Sequence, residues 1–280
     1  MDIEAYLEAG RELVEDYLIS YLERQRAEIP ETLYDGIIYA LEGGKRLRPI
    51  LVMASAEASG EEAELVLPTA AGIELFHTYS LIHDDLPALD DDDWRRGKPC
   101  CHRVFGEGIA LLIGDALIPL GFELILIEQS RLSPKERVLE VLRRVAWAIG
   151  PRGMVGGQVL DLEEGSNGVP LEETYEKKTG ALLSAAAAAG GILAGAAPEW
   201  VEALAEFGKK LGLAYQILDD LADLEEEADS YPHLVGLERA REAAEQFIRE
   251  ALRPLEVLGE EGALLQELAE YLLARKDEKG

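Results

Sequence analysis

The chain is short of sulfur, of aromatic rings and of positive charge, and two of these shortages exclude whole classes of protein. Only two cysteines occur among 280 residues, Cys100 and Cys101, side by side. Neighbouring cysteines rarely bridge, so no disulfide framework is expected, and a reducing cytoplasm is the expected compartment. Cys100, Cys101 and His102 are consecutive, without ligand spacing or a second pair, so zinc is not expected either. Lys and Arg total 27 against 55 Asp and Glu, a formal charge of −28. A chain so acidic lacks the positive footprint of a nucleic-acid binder. Any phosphate-bearing ligand would need a local cluster of Lys and Arg, or metal ions, to overcome that field. The N-terminal stretch MDIEAYLEAGRELVEDYL lacks the basic-then-apolar order of a secretory leader. The one uncharged run of near-membrane length, residues 179–198, is mostly Ala and Gly. It is only weakly hydrophobic per residue, so it reads as a closely packed helix of a soluble bundle, and no transmembrane segment is expected.

What is present suits a folded globule, with 48% hydrophobic residues against 29% charged. No Pro-, Ser- or Gly-rich tract separates two halves, so residues 1–280 read as a single domain. Apolar residues recur at helical spacing, as in Leu13, Tyr17, Leu18 and Tyr21, and again in Leu204, Phe207, Leu211 and Tyr215. Turn signals at Ile29-Pro30, Gly43-Gly44, 106–108, 165–168 and Ala197-Pro198 leave long intervals between them. Long, mostly antiparallel helices follow, an all-α bundle with any functional site between facing helices.

Two acidic clusters stand out. In HDDLPALDDDDWRRGK, six aspartates crowd between Asp84 and Asp93, directly after the apolar segment IELFHTYSLIH and directly before Arg95, Arg96 and Lys98. AYQILDDLAD repeats the arrangement, with Asp219 and Asp223 four residues apart. Four residues turn a helix by about 400°, so those two carboxylates share a face. Bare carboxylates so placed repel, and an oxygen-seeking divalent cation removes the conflict. Mg²⁺ binds through one or two carboxylates plus substrate phosphate oxygens. The basic stretch LEGGKRLRP supplies Lys45, Arg46 and Arg48 after a Gly pair. With two basic groups beside two acidic ones, the residues suggest two anionic subsites, one bridged by metal and one held directly by Arg and Lys.

The ordered motifs GGKRLRP, HDDLPALDDDDWRRGKPCCH, GMVGGQVLDL, KKTGALL and YQILDDLAD resemble those of the trans-polyprenyl diphosphate synthases, of farnesyl and geranylgeranyl type. The resemblance spans nearly the whole chain. It implies a helical bundle of the isoprenoid synthase type with a deep central cavity, usually a homodimer. It also implies condensation of an allylic diphosphate with isopentenyl diphosphate. On that resemblance, Asp84, Asp90, Asp219 and Asp223, assisted by Asp220, hold Mg²⁺ on the allylic diphosphate, which Arg95 also contacts. Gly44, Lys45, Arg48, His77 and Arg96 form the isopentenyl diphosphate subsite. Lys178, Thr179 and Gln216 line the region where the carbocation develops. His83 reads as structural, and Gln158 and Asp161 as residues that cap or pair helices, with a ligand role the lesser reading.

In this family product length depends on bulk upstream of the first aspartate motif. Tyr79 lies five residues before Asp84, about 7.5 Å along the axis, and is expected to form the floor of the chain pocket, with Ser80 adding little bulk. A C15 product is expected, with C20 second. One departure is clear. The family normally carries a longer connection after the second motif, with a Gly-Lys pair and a further Lys that clamp the allylic diphosphate. Here Asp223 is followed by LEEEADSYP, with Ala228 about where the second lysine would fall. That gap reads either as a shortened connection or as a lid segment missing from the chain. It leaves two alternatives beside a short-chain synthase: a catalytically impaired partner subunit, and a class I terpene cyclase. GGKRLRP and the RRGK basics count against the cyclase, which has no isopentenyl subsite.

Overall fold

The computed structural model describes residues 2–163, 170–222 and 230–277. Asp223, the 165–168 turn and the acidic stretch through Asp229 lie outside the described residues. The helices begin where local chemistry starts them. Helix α1 (Ile3–Gln25) opens on Asp2, whose carboxylate accepts from the Glu4 and Ala5 amides, satisfying donors that the helix leaves orphaned. Pro30 precedes α2 (Glu31–Leu41), and Pro198 opens the long α11 (Pro198–Ala222). There the fixed proline φ suits a first turn and its missing N–H costs nothing. Between them run α3 (Leu47–Glu57), α4 (Leu67–Asp84), α5 (Cys101–Phe105), α6 (Glu107–Glu123), α7 (Lys135–Ile149), α8 (Met154–Leu162), α9 (Leu171–Tyr175) and α10 (Ala181–Ala194). The chain ends with α12 (Tyr231–Val235), α13 (Leu237–Leu252) and α14 (Ala263–Asp277).

The all-α expectation holds, and the expectation of long helices holds in part, since α5, α8, α9 and α12 are short. One element went unforeseen, a hairpin of β1 (Trp94–Arg95) and β2 (Lys98–Pro99) pairing Arg95 with Lys98. Its two-residue turn, Arg96-Gly97, has positive φ at both positions, 55° and 77°, as a hairpin turn matching strand twist requires.

Helices α3, α4, α10 and α11 form the centre. The α10 helix packs against α11, α3 and α7, and α4 against α6 and α3. The Ala-rich run buries almost every residue of α10, as close packing of small side chains allows. Gly190 is the tightest point, because a Cβ there would sit 2.2 Å from the Val52 carbonyl oxygen. Amphipathic α7 presents Val138, Val141, Val145 and Ala148 to this core, a stripe at helical period. A second, smaller core of Leu213, Ile217, Tyr175, Tyr231 and Ala244 lies among α9, α11, α12 and α13, directly behind the C-terminal end of α11.

Candidate active site

The first aspartate motif is gathered by its backbone. After α4 the chain reverses through residues 86–93. The Asp90 amide donates to the Asp84 carbonyl at 2.9 Å and the Asp91 amide to Leu86 at 3.2 Å. Six positions of sequence separation are thereby folded away, and the Asp84 and Asp90 carboxylates come within electrostatic reach. Burial pushes the Asp84 pKa up to about 7, and Asp90 and Asp85 push the same way. Lys178 opposes them.

Lys178 and Thr179 sit on a wide π-helical turn, Glu176–Gly180, inserted before α10. Such turns are uncommon and cluster at functional sites. The Lys178 ammonium pairs with Asp161 of α8. Burial works against its charge, yet Asp161, Asp84 and Asp90 outweigh that and raise its pKa. Asp161, read as a helix-pairing residue with the ligand role second, thus stands inside the acidic cluster opposite the first motif. One turn before it on the same face, Gln158 has both amide atoms buried without a hydrogen-bond partner.

At the end of α11 the aspartates divide. Asp219 is half-buried on the face expected to carry Asp223. Asp220, about 100° around the helix, turns inward with 4% exposure. There it accepts from the Tyr175 hydroxyl, from the Tyr231 amide at 3.2 Å and from Gln216 Nε2 at 3.1 Å. In turn the Thr179 hydroxyl donates to Gln216 Oε1 at 3.0 Å. The chain Thr179 to Gln216 to Asp220 therefore orients the Gln216 amide, and Asp220, expected to assist the metal-holding aspartates, has its carboxylate engaged by these three donors.

Arg95 donates through Nε to Asp85 at 2.8 Å and pairs with Asp92. The Cys100 thiol also donates to Asp85. Both cysteines are buried and unbridged, and burial, with Asp85, pushes their pKa values to about 12 and about 11.

The second basic cluster assembles on α3 and α4. Arg48 Nη1 lies 3.1 Å from His77 Nε2. A guanidinium has no acceptor, so His77 Nε2 accepts and the proton sits on Nδ1. Burial, then Arg48 and the neighbouring arginines, hold the His77 pKa well below its usual 6.5. Lys45 reaches the Tyr215 hydroxyl at 3.4 Å. Arg46 and Arg96 both bind Glu74 Oε1, at 2.7 and 2.9 Å. Arg96 also donates to the Ala40 carbonyl at 3.2 Å. Gly44, φ 99°, makes room for it, since a Cβ there would sit 2.9 Å from the Arg96 guanidinium carbon. Glu74 was not foreseen, although a single carboxylate in the apolar run LPTAAGIELFHTYS is a visible signal.

Tyr79 is buried, its hydroxyl 3.4 Å from the Ile149 carbonyl and its ring edge-on to His83 at 5.7 Å. Burial, with Asp84, pushes its pKa up to about 12. The Ser80 hydroxyl bonds back to the His77 carbonyl. His83 rests over Gly114 of α6 and contacts the Leu111 carbonyl at 3.2 Å.

The donor chemistry suits a hard, hydrated cation: all acidic oxygen ligands, an orphaned Gln158 amide, and an Asp84 whose charge burial disfavours. Among the described residues no three acidic, His or Cys groups close around a single metal position.

The fold and site together define an all-α protein with an acidic, metal-compatible pocket beside an arginine-lined one. Residues 30–240 match the family described as polyprenyl synthetase. The chain is 39% identical to the farnesyl diphosphate synthase of Bacillus subtilis, covering 98% of both proteins. It is 40% identical to a dimethylallyltranstransferase of Fischerella ambigua, covering 98% of this chain and 87% of that protein. The crystal structure of a geranyltransferase from Legionella pneumophila superposes with a TM-score of 0.89 at 34% identity, covering 99% and 98% of the two chains. This chain belongs to the polyprenyl synthetase family.

Proposed function

We propose that the chain condenses an allylic diphosphate, dimethylallyl or geranyl, with isopentenyl diphosphate, and that farnesyl diphosphate is its main product. The observation that carries this reading is the side-by-side presence of two different anion sites. Asp84, Asp90 and Asp161 face Lys178 on one side, and Arg48, with Arg46 and Arg96 on Glu74, stands on the other. A protein that only ionised one diphosphate would have no use for the second.

Asp84 and Asp90, with Asp219 and Asp223, would hold Mg²⁺, and Asp161 joins them from α8. Bound there, Mg²⁺ supplies positive charge that stabilises the leaving diphosphate. Arg95 and Lys178 add fixed charge to the same group. Lys45, Arg48, His77 and Arg96 hold isopentenyl diphosphate. His77 does so as a neutral imidazole, which keeps Arg48 oriented. As the allylic C–O bond breaks, the organic fragment becomes a cation. The Thr179 and Gln216 oxygens stabilise it without trapping it covalently, and Asp220 holds Gln216 in that pose. The isopentenyl double bond then forms the new C–C bond, and a proton leaves to the released diphosphate. Buried Tyr79 closes the chain pocket beneath Asp84 and stops growth at C15.

The partner is a second copy of the chain, and its seat is α6. Leu111 and Leu112 are exposed there, as are Leu126 and Ile127 in the π-helical turn that follows, and only 39% of the most apolar stretch of Glu107–Arg131 is buried although it is apolar enough to cross a membrane. The other such span, Ala63–Asp84, is 78% buried in the core. The two buried, unbridged thiols fit a reducing cytoplasm.

The test is to incubate pure full-length protein with Mg²⁺, isopentenyl diphosphate and dimethylallyl or geranyl diphosphate, then size the products. A farnesyl-length product is expected. No elongation would overturn the reading in favour of an impaired partner subunit, and a cyclic hydrocarbon would overturn it in favour of a cyclase.

A further inference from the structure

The second anion site depends on a residue that points away from it. Glu74 lies on α4, three residues before His77, with 1% of its surface exposed. Its Oε1 accepts from Arg46 Nη1 at 2.7 Å and from Arg96 Nη2 at 2.9 Å. Those two arginines come from different loops and share an unusual backbone, with φ of 52° and 55°. Left-handed conformations are disfavoured for residues with a Cβ and persist only where the surroundings over-determine them. Here the surroundings share one carboxylate. Arg46 is further held by the Leu41 carbonyl and by Glu15 of α1 at 3.3 Å, and Arg96 by the Ala40 carbonyl. The two carbonyl bonds tie both loops back to the end of α2.

The charge balance points the same way. Glu74 is shared by Arg46 and Arg96, while among the described residues Arg48 has the neutral His77 as its hydrogen-bond partner. The shared carboxylate relieves repulsion among the guanidiniums and still leaves surplus positive charge for an incoming anion. Without it the two loops would repel each other.

From this geometry we infer that Glu74 is a positioning residue for isopentenyl diphosphate: it touches no substrate, but fixes the loop carrying Lys45 and Arg48 against the hairpin carrying Arg95, Arg96 and Lys98. The inference rests on the condensation reading above. It adds that the spacing of the isopentenyl subsite is set from inside the bundle by one side chain.

Steady-state kinetics of full-length Glu74→Gln, varying each substrate in turn, tests it. Expected is a rise of about tenfold or more in KM for isopentenyl diphosphate, with the allylic KM changed less than about threefold and kcat reduced far less than kcat/KM. Should Glu74→Gln fail to fold by circular dichroism, Arg46→Gln cuts the same tether from the other loop and is expected to raise the same KM selectively. Equal rises in both KM values, or an unchanged isopentenyl KM in a variant that folds, would overturn the positioning role while wild-type turnover leaves the condensation reading standing. A wild type that elongates nothing overturns both.

Discussion

His77 is neutral because Arg48 needs its lone pair, and this gives the protein an acid-sensitive point on α4. Burial and the arginines depress the folded pKa well below 6.5. The unfolded chain therefore takes up a proton below pH 6.5 that the folded one refuses. This contribution to stability is complete above 6.5 and is lost as pH falls toward the folded pKa. His77→Gln keeps an acceptor for Arg48 but cannot titrate, so urea unfolding at pH 7.5 and at pH 5.5 should show a smaller loss of stability in the variant than in the wild type. Equal losses would contradict the assigned protonation. At the same scale, Tyr79 is tied by its hydroxyl to Ile149 and cannot swing aside freely. Tyr79→Ala is expected to shift the product from C15 toward C20 or longer, read by chromatography of the dephosphorylated alcohols. A product no longer than wild type would remove Tyr79 from the floor.

The elements that carry the site are placed by close helix contacts more than by loops. Gly157 on α8 is the case nearest the site, since a Cβ there would lie 2.3 Å from the Lys178 amide nitrogen. Gly157→Ala must push α8 away from the π-turn that carries Lys178 and Thr179. Overpacking of this kind costs about 1–3 kcal/mol, and misplacing catalytic groups by about 1 Å can cost about 100-fold in rate. Turnover is expected to fall on the order of 10–100-fold while the variant remains folded, measured by activity alongside thermal unfolding. A rate loss no larger than the loss of folded protein would mean that the turn does not depend on α8. The uncharged Ala-Gly run anticipated α10 as a closely packed helix, but a five-residue π-turn between α9 and α10 changes no residue type and leaves no periodic trace.

At the scale of the molecule, the charge of −28 and the apolar α6 face act against each other. Like charge disfavours association, and exposed leucine and isoleucine favour it. The homodimer proposed on α6 would resolve the conflict. Leu112→Glu, at a side chain 55% exposed, should leave the monomer fold intact and yield a monomer by light scattering, whereas wild type is expected to run as a dimer. A wild type that is monomeric, or that binds anionic lipid vesicles through α6, would assign that face differently.

The sequence by itself determined the helical class, the order of the motifs and which residue types would meet a polyanion. Hydrophobic period, proline starts and clustered aspartates are all local properties written into neighbouring residues. It also showed that Asp219 and Asp223 belong on one face, because that follows from helical pitch alone. Only the tertiary structure decided that Asp220 turns inward to Tyr175, Tyr231 and Gln216, that Asp161 meets Lys178, and that Glu74 joins Arg46 to Arg96. Those pairings depend on the rotation of each helix against its neighbours and on backbone reversals at 86–93 and 95–98, which bring together residues up to several tens of positions apart. A carboxylate in a sequence is only an acid; whether it holds a cation, a tyrosine or two arginines is settled by what the packed helices place beside it.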